Sequence, residues 1–317
     1  MDKRPLVKIT ARRDMDPTRS NAILRRYFAE IKKRFGELKK KVEEHSMDPF
    51  TLKGKEEAEN PGQLVIMAEK KRYVYEKSLD RMKEFMTWLD QQVLDGILTV
   101  ESRPWLVSPS GEGLWTDVYI QSAYQKGIEM ARADLAAAGA SLPSLGPVSV
   151  AFNKPFHADR VGLIYSRTFN GMKGLTDTMK AQMGRELAKG MVEGRSPYDI
   201  AYKLKDRVDK IGITRARLIA RTEVVFAHNS AAINEYDSLE GIIGEEIKVQ
   251  WWTALDERVR ASHRLRHAKI YTKKRGQELI GEPNCRCTLL PWTKTLWDMF
   301  MRMYTKREYQ RQKKLNS

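Results

Sequence analysis

Apolar residues in the first part of the chain recur with a helical period. Leu24, Phe28, Ile31, Phe35, Leu38 and Val42 follow one another at intervals of three and four residues, a heptad seam. Arg25, Arg26, Lys32, Lys33, Arg34, Lys39, Lys40 and Lys41 lie between them. The pattern predicts a helix over 17–44, with Asp16 as N-cap and Pro17 at the first helical position. Its narrow apolar stripe must meet a partner helix, in this chain or in another protein, while the basic face stays in water.

Breakers at Pro49, Gly54, Pro61 and Gly62 predict a connection over 46–66. A second helix is predicted over 69–94, with Leu79, Met82, Phe85, Met86, Leu89 and Val93 on its apolar face. A loop follows at 100–113, then a helix over 114–138 that stops at Gly139. After a linker at 139–155, helices are predicted near 157–192, over 197–210 behind a Ser196-Pro197 cap, and from an N-cap at Thr214 to about 239. The period then changes. Residues 246–254 alternate and are rich in β-formers, and 268–272 and 287–292 are two further short strand candidates. A last basic helix is predicted over 294–314. The fold class is therefore mainly α with a small C-terminal α+β domain: long N-terminal helices and a short β-sheet near residues 246–292. The expected domains are a helical N-terminal region (1–155), an α+β-bearing domain (156–293) and a basic C-terminal helix or tail (294–317).

Charge sharpens this picture. The 317 residues carry 57 Lys+Arg against 41 Asp+Glu, a formal net charge of +16. Residues 1–46 hold 14 basic and 7 acidic residues, and residues 254–317 hold 16 and 6, so the middle is nearly neutral. Two basic ends suit a polyanion, because neutralising phosphates releases condensed counterions. The basic clusters Lys273, Lys274 and Arg275, and Lys306, Arg307, Arg311, Lys313 and Lys314, are candidate contacts to DNA phosphate rather than to bases. Attraction to an acidic protein surface is the alternative. No apolar run is long enough to span a bilayer, so no membrane partner is expected, and the first 16 residues lack the apolar core of a secretory signal. Only two cysteines occur, Cys285 and Cys287, with one residue between them. A mutual disulfide is geometrically awkward at that spacing, and the chain reads as one made in a reducing cytoplasm.

The densest pattern lies at 216–292. Arg221, Thr222 and Glu223 sit on a helix with Asn229 further along it. Trp252 ends a strand, and Asp256, Glu257, Arg258, Val259, Arg260 and His263 follow. Cys285, Arg286 and Cys287 close the stretch. In this order, and with the upstream segment 194–208, these residues resemble the phage Mu F-like head morphogenesis family, also called minor head or minor capsid proteins. The resemblance covers about 194–293. Where members of that family often carry Leu and Gly, three and five residues after the His, this chain has Arg266 and Ala268; before the closing motif it has Glu282, Pro283 and Asn284. The resemblance implies a non-enzymatic minor head protein of a tailed bacteriophage. Its place would be the capsid interior near the portal vertex, and its partners the portal protein, the major capsid protein and, non-specifically, double-stranded DNA. It would take part in head assembly, DNA packaging or ejection.

Taken as chemistry, the motif charges have a structural and a catalytic reading. Structurally, Arg221 and Glu223 pair with Asp256, Arg258 or Arg260 and pin helix to sheet, because buried charge must be paired. Catalytically, a nucleophile or poised base is needed, and no triad is indicated. No cofactor is assigned. His263, His267, Cys285 and Cys287 supply four ligands suited to tetrahedral zinc, so a structural zinc stays open, with an HNH-like zinc nuclease as the alternative function. Trp251, Trp252, Trp292 and Trp297 are expected in the core rather than stacked on bases.

Overall fold

The computed structural model describes residues 16–56, 79–103, 105–108, 110–137, 139–144, 154–254, 256–295 and 298. Trp297, Lys306, Arg307, Arg311, Lys313 and Lys314, and most of the expected basic C-terminal helix, lie outside these residues. The chain is mostly helical, with a few strands that are concentrated toward its C-terminal end. Contacts divide it into two units. One comprises residues up to Arg25, Arg103–Ser166 and Arg221 onward; the other comprises Arg26–Ser102 and Arg167–Ala220. No described helix is long and apolar enough to cross a membrane.

In the second unit the heptad stripe finds its cover within the chain. Helix α1 (Asn21–Glu56) buries Tyr27, Ile31, Phe35, Leu38 and Val42. Phe28 of the expected seam is only half-buried; Tyr27 takes its place and is fully buried. The helix starts later than the Pro17 rule predicts: Asp16 accepts from the Asn21 N–H at 2.8 Å across a short turn in which Arg19 is left-handed. It also runs through Pro49 to Glu56 instead of ending at 44, although that proline removes one backbone donor from the helix. Helix α2 (Leu79–Gly96) adds Phe85, Leu89 and Val93 to the same core.

Helix α4 (Pro155–Val192) contributes Met172, Met179, Met183 and Leu187 to that core, and α5 (Pro197–Arg207) follows it behind the Ser196 cap. Gly194 is left-handed at the stop, as expected. The next helix does not start afresh at Thr214. A π-helical segment (Val208–Ile213) joins α5 directly to α6 (Thr214–Ile243), and Thr214 is a helical residue rather than an N-cap. Gly212 faces the Phe35 ring so closely that a Cβ there would overlap it. Its missing side chain serves packing, not a turn.

The other unit is built around α6. From Thr222 to Tyr236 nearly every residue is buried, on all sides of the helix. Helix α3 (Asp117–Ala137) packs Ile120, Tyr124, Ile128, Ala131 and Leu135 inward. The expected loop at 100–113 contains short strands instead: β1 (Val100–Ser102) falls within the residues of the second unit, and β2 (Glu112–Leu114) within this one. The C-terminal sheet has strand order β4-β3-β5 and is antiparallel throughout. Its strands are β3 (Lys248–Trp252), β4 (Ile270–Tyr271) and β5 (Thr288–Trp292). Trp251 pairs with Leu289, and Gln250 lies between Ile270 and Leu290. Two short helices not expected from the sequence, α7 (Ala261–Arg266) and α8 (Lys273–Leu279), bridge the strands. Tyr236, Val249, Trp251, Cys285, Cys287 and Leu289 belong to one apolar cluster between α6 and the sheet.

Candidate functional site

The motif residues converge on one short segment, Glu282 to Leu289. Asn229 on α6 is buried beneath it. Its Nδ2 donates to the Val225 and Cys287 carbonyls, both at 3.0 Å, and its Oδ1 accepts from the Leu289 N–H at 2.9 Å. One turn and more upstream, Arg221 Nη1 donates to Asn284 Oδ1 at 2.7 Å, and Thr222 Oγ1 accepts from the Asn284 N–H at 3.0 Å. Asn284 is left-handed (φ 59°), which aims both its groups at α6.

The Asp-Glu-Arg-Val-Arg turn reaches the same segment from the other side. Asp256 takes a two-pronged bond from Arg286 at 2.7 and 2.5 Å, and Arg286 holds the Asp256 carboxyl down at about 2. Arg260 donates to Glu282 at 3.1 Å and to the Pro283 carbonyl at 2.5 Å. Arg266 donates to the other Glu282 oxygen at 2.7 Å. Burial works against the Glu282 charge, but Arg266 and His263 outweigh it and hold the carboxyl below its ordinary range.

This geometry corrects the expected pairing. Arg221 does not meet Asp256. Burial, and then repulsion from Arg286 and Arg258, depress its basicity, so it is held beside like charges by Asn284. Glu223 is buried on the same helix. Arg258 lies largely in water, 3.4 Å from Asp256. Helix and turn are thus both tied to a shared third element. The chain's Arg266 and Glu282, read as departures from the family pattern, bond one another.

His263, Cys285 and Cys287 form a second layer beneath this clasp. All three are buried, and their ligand atoms lie within 4.8 Å of one another. His263 Nδ1 is 3.4 Å from Cys287 Sγ and 3.5 Å from Cys285 Sγ, and its Nε2 is 2.7 Å from Glu282 Oε2. The Cys287 N–H donates to Cys285 Sγ at 3.3 Å. The Cys287 thiol, and then His263, stabilise the Cys285 thiolate and lower its pKa against burial. Cys285 and burial together push Cys287 up. Contact with Cys285, opposed by burial and aided by Glu282, raises His263. Neither cysteine forms a disulfide. His267 is not part of the group. Its Nδ1 accepts from the Thr253 N–H at 3.2 Å, its ring packs on Trp252, and burial lowers its pKa.

Of the described basic candidates, Lys273 is committed inside the fold: it pairs with Asp237 at 3.1 Å and with Glu240. Arg275 pairs with Glu278 at 2.7 Å, and Lys274 is exposed. Trp251 and Trp252 are in the core as expected, and Trp292 is half-buried.

A buried polar network escaped the sequence reading. Glu235 accepts from Arg132 at 2.5 Å and faces His157 Nε2 at 3.2 Å; His157 Nδ1 meets the Tyr124 hydroxyl at 3.0 Å, which accepts from Asn234 at 2.9 Å. Its members are spread over 111 positions of sequence, and only the run of polar and small residues at 228–235 hints that this helix is buried on every side.

Residues 181–290 match the family model described as Phage Mu protein F like protein. No curated protein and no solved structure matches the chain. The matched stretch spans the motif residues above, which supports the family read from them and, at a coarse level, a role in phage head morphogenesis as a component of the virion.

Proposed function

With a phage Mu F-like region at residues 181–290 as the premise, we propose that this chain is a non-enzymatic minor head protein of a tailed bacteriophage. It sits inside the capsid near the portal vertex, where it contacts portal or capsid protein and packaged DNA during head assembly, packaging or ejection. The carrying observation is the family match, and the internal chemistry of the motif agrees with it. Asp256, Glu282, Arg260, Arg266 and Arg286 satisfy one another across the clasp, and both ring nitrogens of the buried His263 face protein groups. Such a closed network fixes the shape of the clasp.

The DNA contact rests on charge. Arg25, Arg26, Lys32 and Lys33 lie exposed on α1, and the C-terminal stretch adds Lys306, Arg307, Arg311, Lys313 and Lys314. Heads purified by density gradient from infected cells provide the test. The chain is expected to co-sediment with portal-containing particles at low copy number. A chain recovered only as free protein in the lysate contradicts the reading.

The zinc nuclease is the competing function. It is favoured if the purified chain cleaves plasmid DNA in a divalent-metal-dependent way and His263→Ala abolishes the cleavage.

A further inference from the structure

Beneath the clasp, three donor atoms of the kinds that bind zinc share one buried spot. A tetrahedral zinc with bonds of about 2.3 Å to sulfur and about 2.0 Å to nitrogen requires N···S separations of about 3.5 Å between its ligands. His263 Nδ1 stands 3.4 Å from Cys287 Sγ and 3.5 Å from Cys285 Sγ, and all three donors lie within 4.8 Å of one another. The two nitrogen–sulfur separations are those of edges of a coordination tetrahedron.

The surroundings fit an anionic metal-thiolate group. The Cys287 N–H points at Cys285 Sγ at 3.3 Å, the kind of backbone bond a coordinated thiolate accepts. Trp251 Nε1 is buried and makes no hydrogen bond of ordinary geometry. Behind the imidazole, Glu282 Oε2 lies 2.7 Å from His263 Nε2. A carboxylate there fixes the tautomer that leaves Nδ1 free to ligate and raises its basicity, the usual support of a zinc-binding histidine. Glu282 is itself held by Arg260 and Arg266. The edge of the Trp251–His263 pair, with ring centroids 5.5 Å apart and planes at 90°, keeps the imidazole from turning.

We propose that His263 Nδ1, Cys285 Sγ and Cys287 Sγ bind one zinc ion, with Glu282 as the outer partner of His263. Among the described residues no fourth His, Cys, Asp or Glu joins the group. Soft thiolates with one imidazole select zinc over magnesium or calcium, which take oxygen. The ion ties α7 to the segment before β5, closing a loop of more than twenty residues that the clasp also holds. His267, bound to the Thr253 backbone, takes no part.

The test uses the full chain, purified without a metal-affinity tag, stripped with chelator and reloaded with zinc chloride. The expected result by plasma mass spectrometry is about one zinc per chain, with a higher melting temperature than the stripped protein. Loading with cobalt(II) instead should give the strong visible bands of a tetrahedral site together with thiolate-to-cobalt charge transfer. Cys285→Ser with Cys287→Ser is expected to lose the metal, and His267→Ala to keep it. Wild-type protein that holds no zinc after reloading, or a cobalt form without thiolate bands, overturns the proposal. Both readings come from the wild type, so they stand even if the double variant fails to fold.

Discussion

Asn229 and Leu289 are joined across 60 positions of sequence by a single buried bond, Leu289 N–H to Asn229 Oδ1 at 2.9 Å. The same amide donates to the Cys287 carbonyl at 3.0 Å, so one side chain terminates both backbone groups where the clasp enters β5. Asn229→Ala leaves a buried N–H and a buried C=O without partners. The expected loss is about 2–6 kcal/mol of unfolding free energy, from about 1–3 kcal/mol for each of the two orphaned groups. Urea denaturation measures it; a loss under about 1 kcal/mol would mean that water or backbone movement satisfies both groups.

Ala268 occupies left-handed backbone (φ 63°) between α7 and β4, where its N–H bonds the Trp251 carbonyl at 2.8 Å. A Cβ there costs about 1–2 kcal/mol, and glycine returns part of that gain through a more flexible unfolded chain. Ala268→Gly is therefore expected to raise stability by up to about 1 kcal/mol, whereas Ala268→Val, β-branched, should lower it. Thermal melts of the two variants check the sign, and a destabilised glycine variant would contradict it.

Asp117 supplies the sharpest pH dependence. Burial raises its carboxyl from 3.8 to about 7, against hydrogen bonds from the Thr116 hydroxyl and the Leu114 N–H. A carboxyl raised in the fold gives stability that is complete below about pH 4 and is lost as pH rises to about 7. The whole change is on the order of 4 kcal/mol at about 1.4 kcal/mol per unit. Asp117→Asn removes the titration. The wild-type advantage over this variant should shrink between pH 4 and 7 and level off above; a difference independent of pH would show that Asp117 ionises normally.

The DNA contact carries its own signature. Binding to random duplex DNA should weaken steeply with salt, with a log–log slope of several units if about six to ten phosphates are contacted. A chain ending at residue 293 should show a shallower slope. An unchanged slope would move the contact to α1 or elsewhere.

Much of this was legible in the sequence because period and chemistry agreed. The 3.5-residue spacing of Ile31, Phe35, Leu38 and Val42 and the alternation around Trp251 mark a helix and a strand without tertiary information, and both exist. What was not legible depends on contacts between distant residues. Thr214 reads as an N-cap until the helical turns from Val208 are seen to run into it, with Gly212 packed against Phe35. Asp256 carries no sign that its partner is Arg286, thirty residues on, rather than Arg221. His263 and His267 share one helical turn in sequence, yet α7 ends at Arg266, and the two rings part toward different neighbours. Asp117, His157 and Glu235 are polar residues whose burial no local pattern announces.

The most direct measurement is an asymmetric cryo-electron microscopy reconstruction of the portal vertex of mature particles. Density is expected inside the head, against the portal or the inner capsid wall, into which the unit formed by α3, α6 and the β4-β3-β5 sheet fits with its clasp closed. A portal vertex with no such density, in particles where the chain is absent by mass spectrometry, would contradict it.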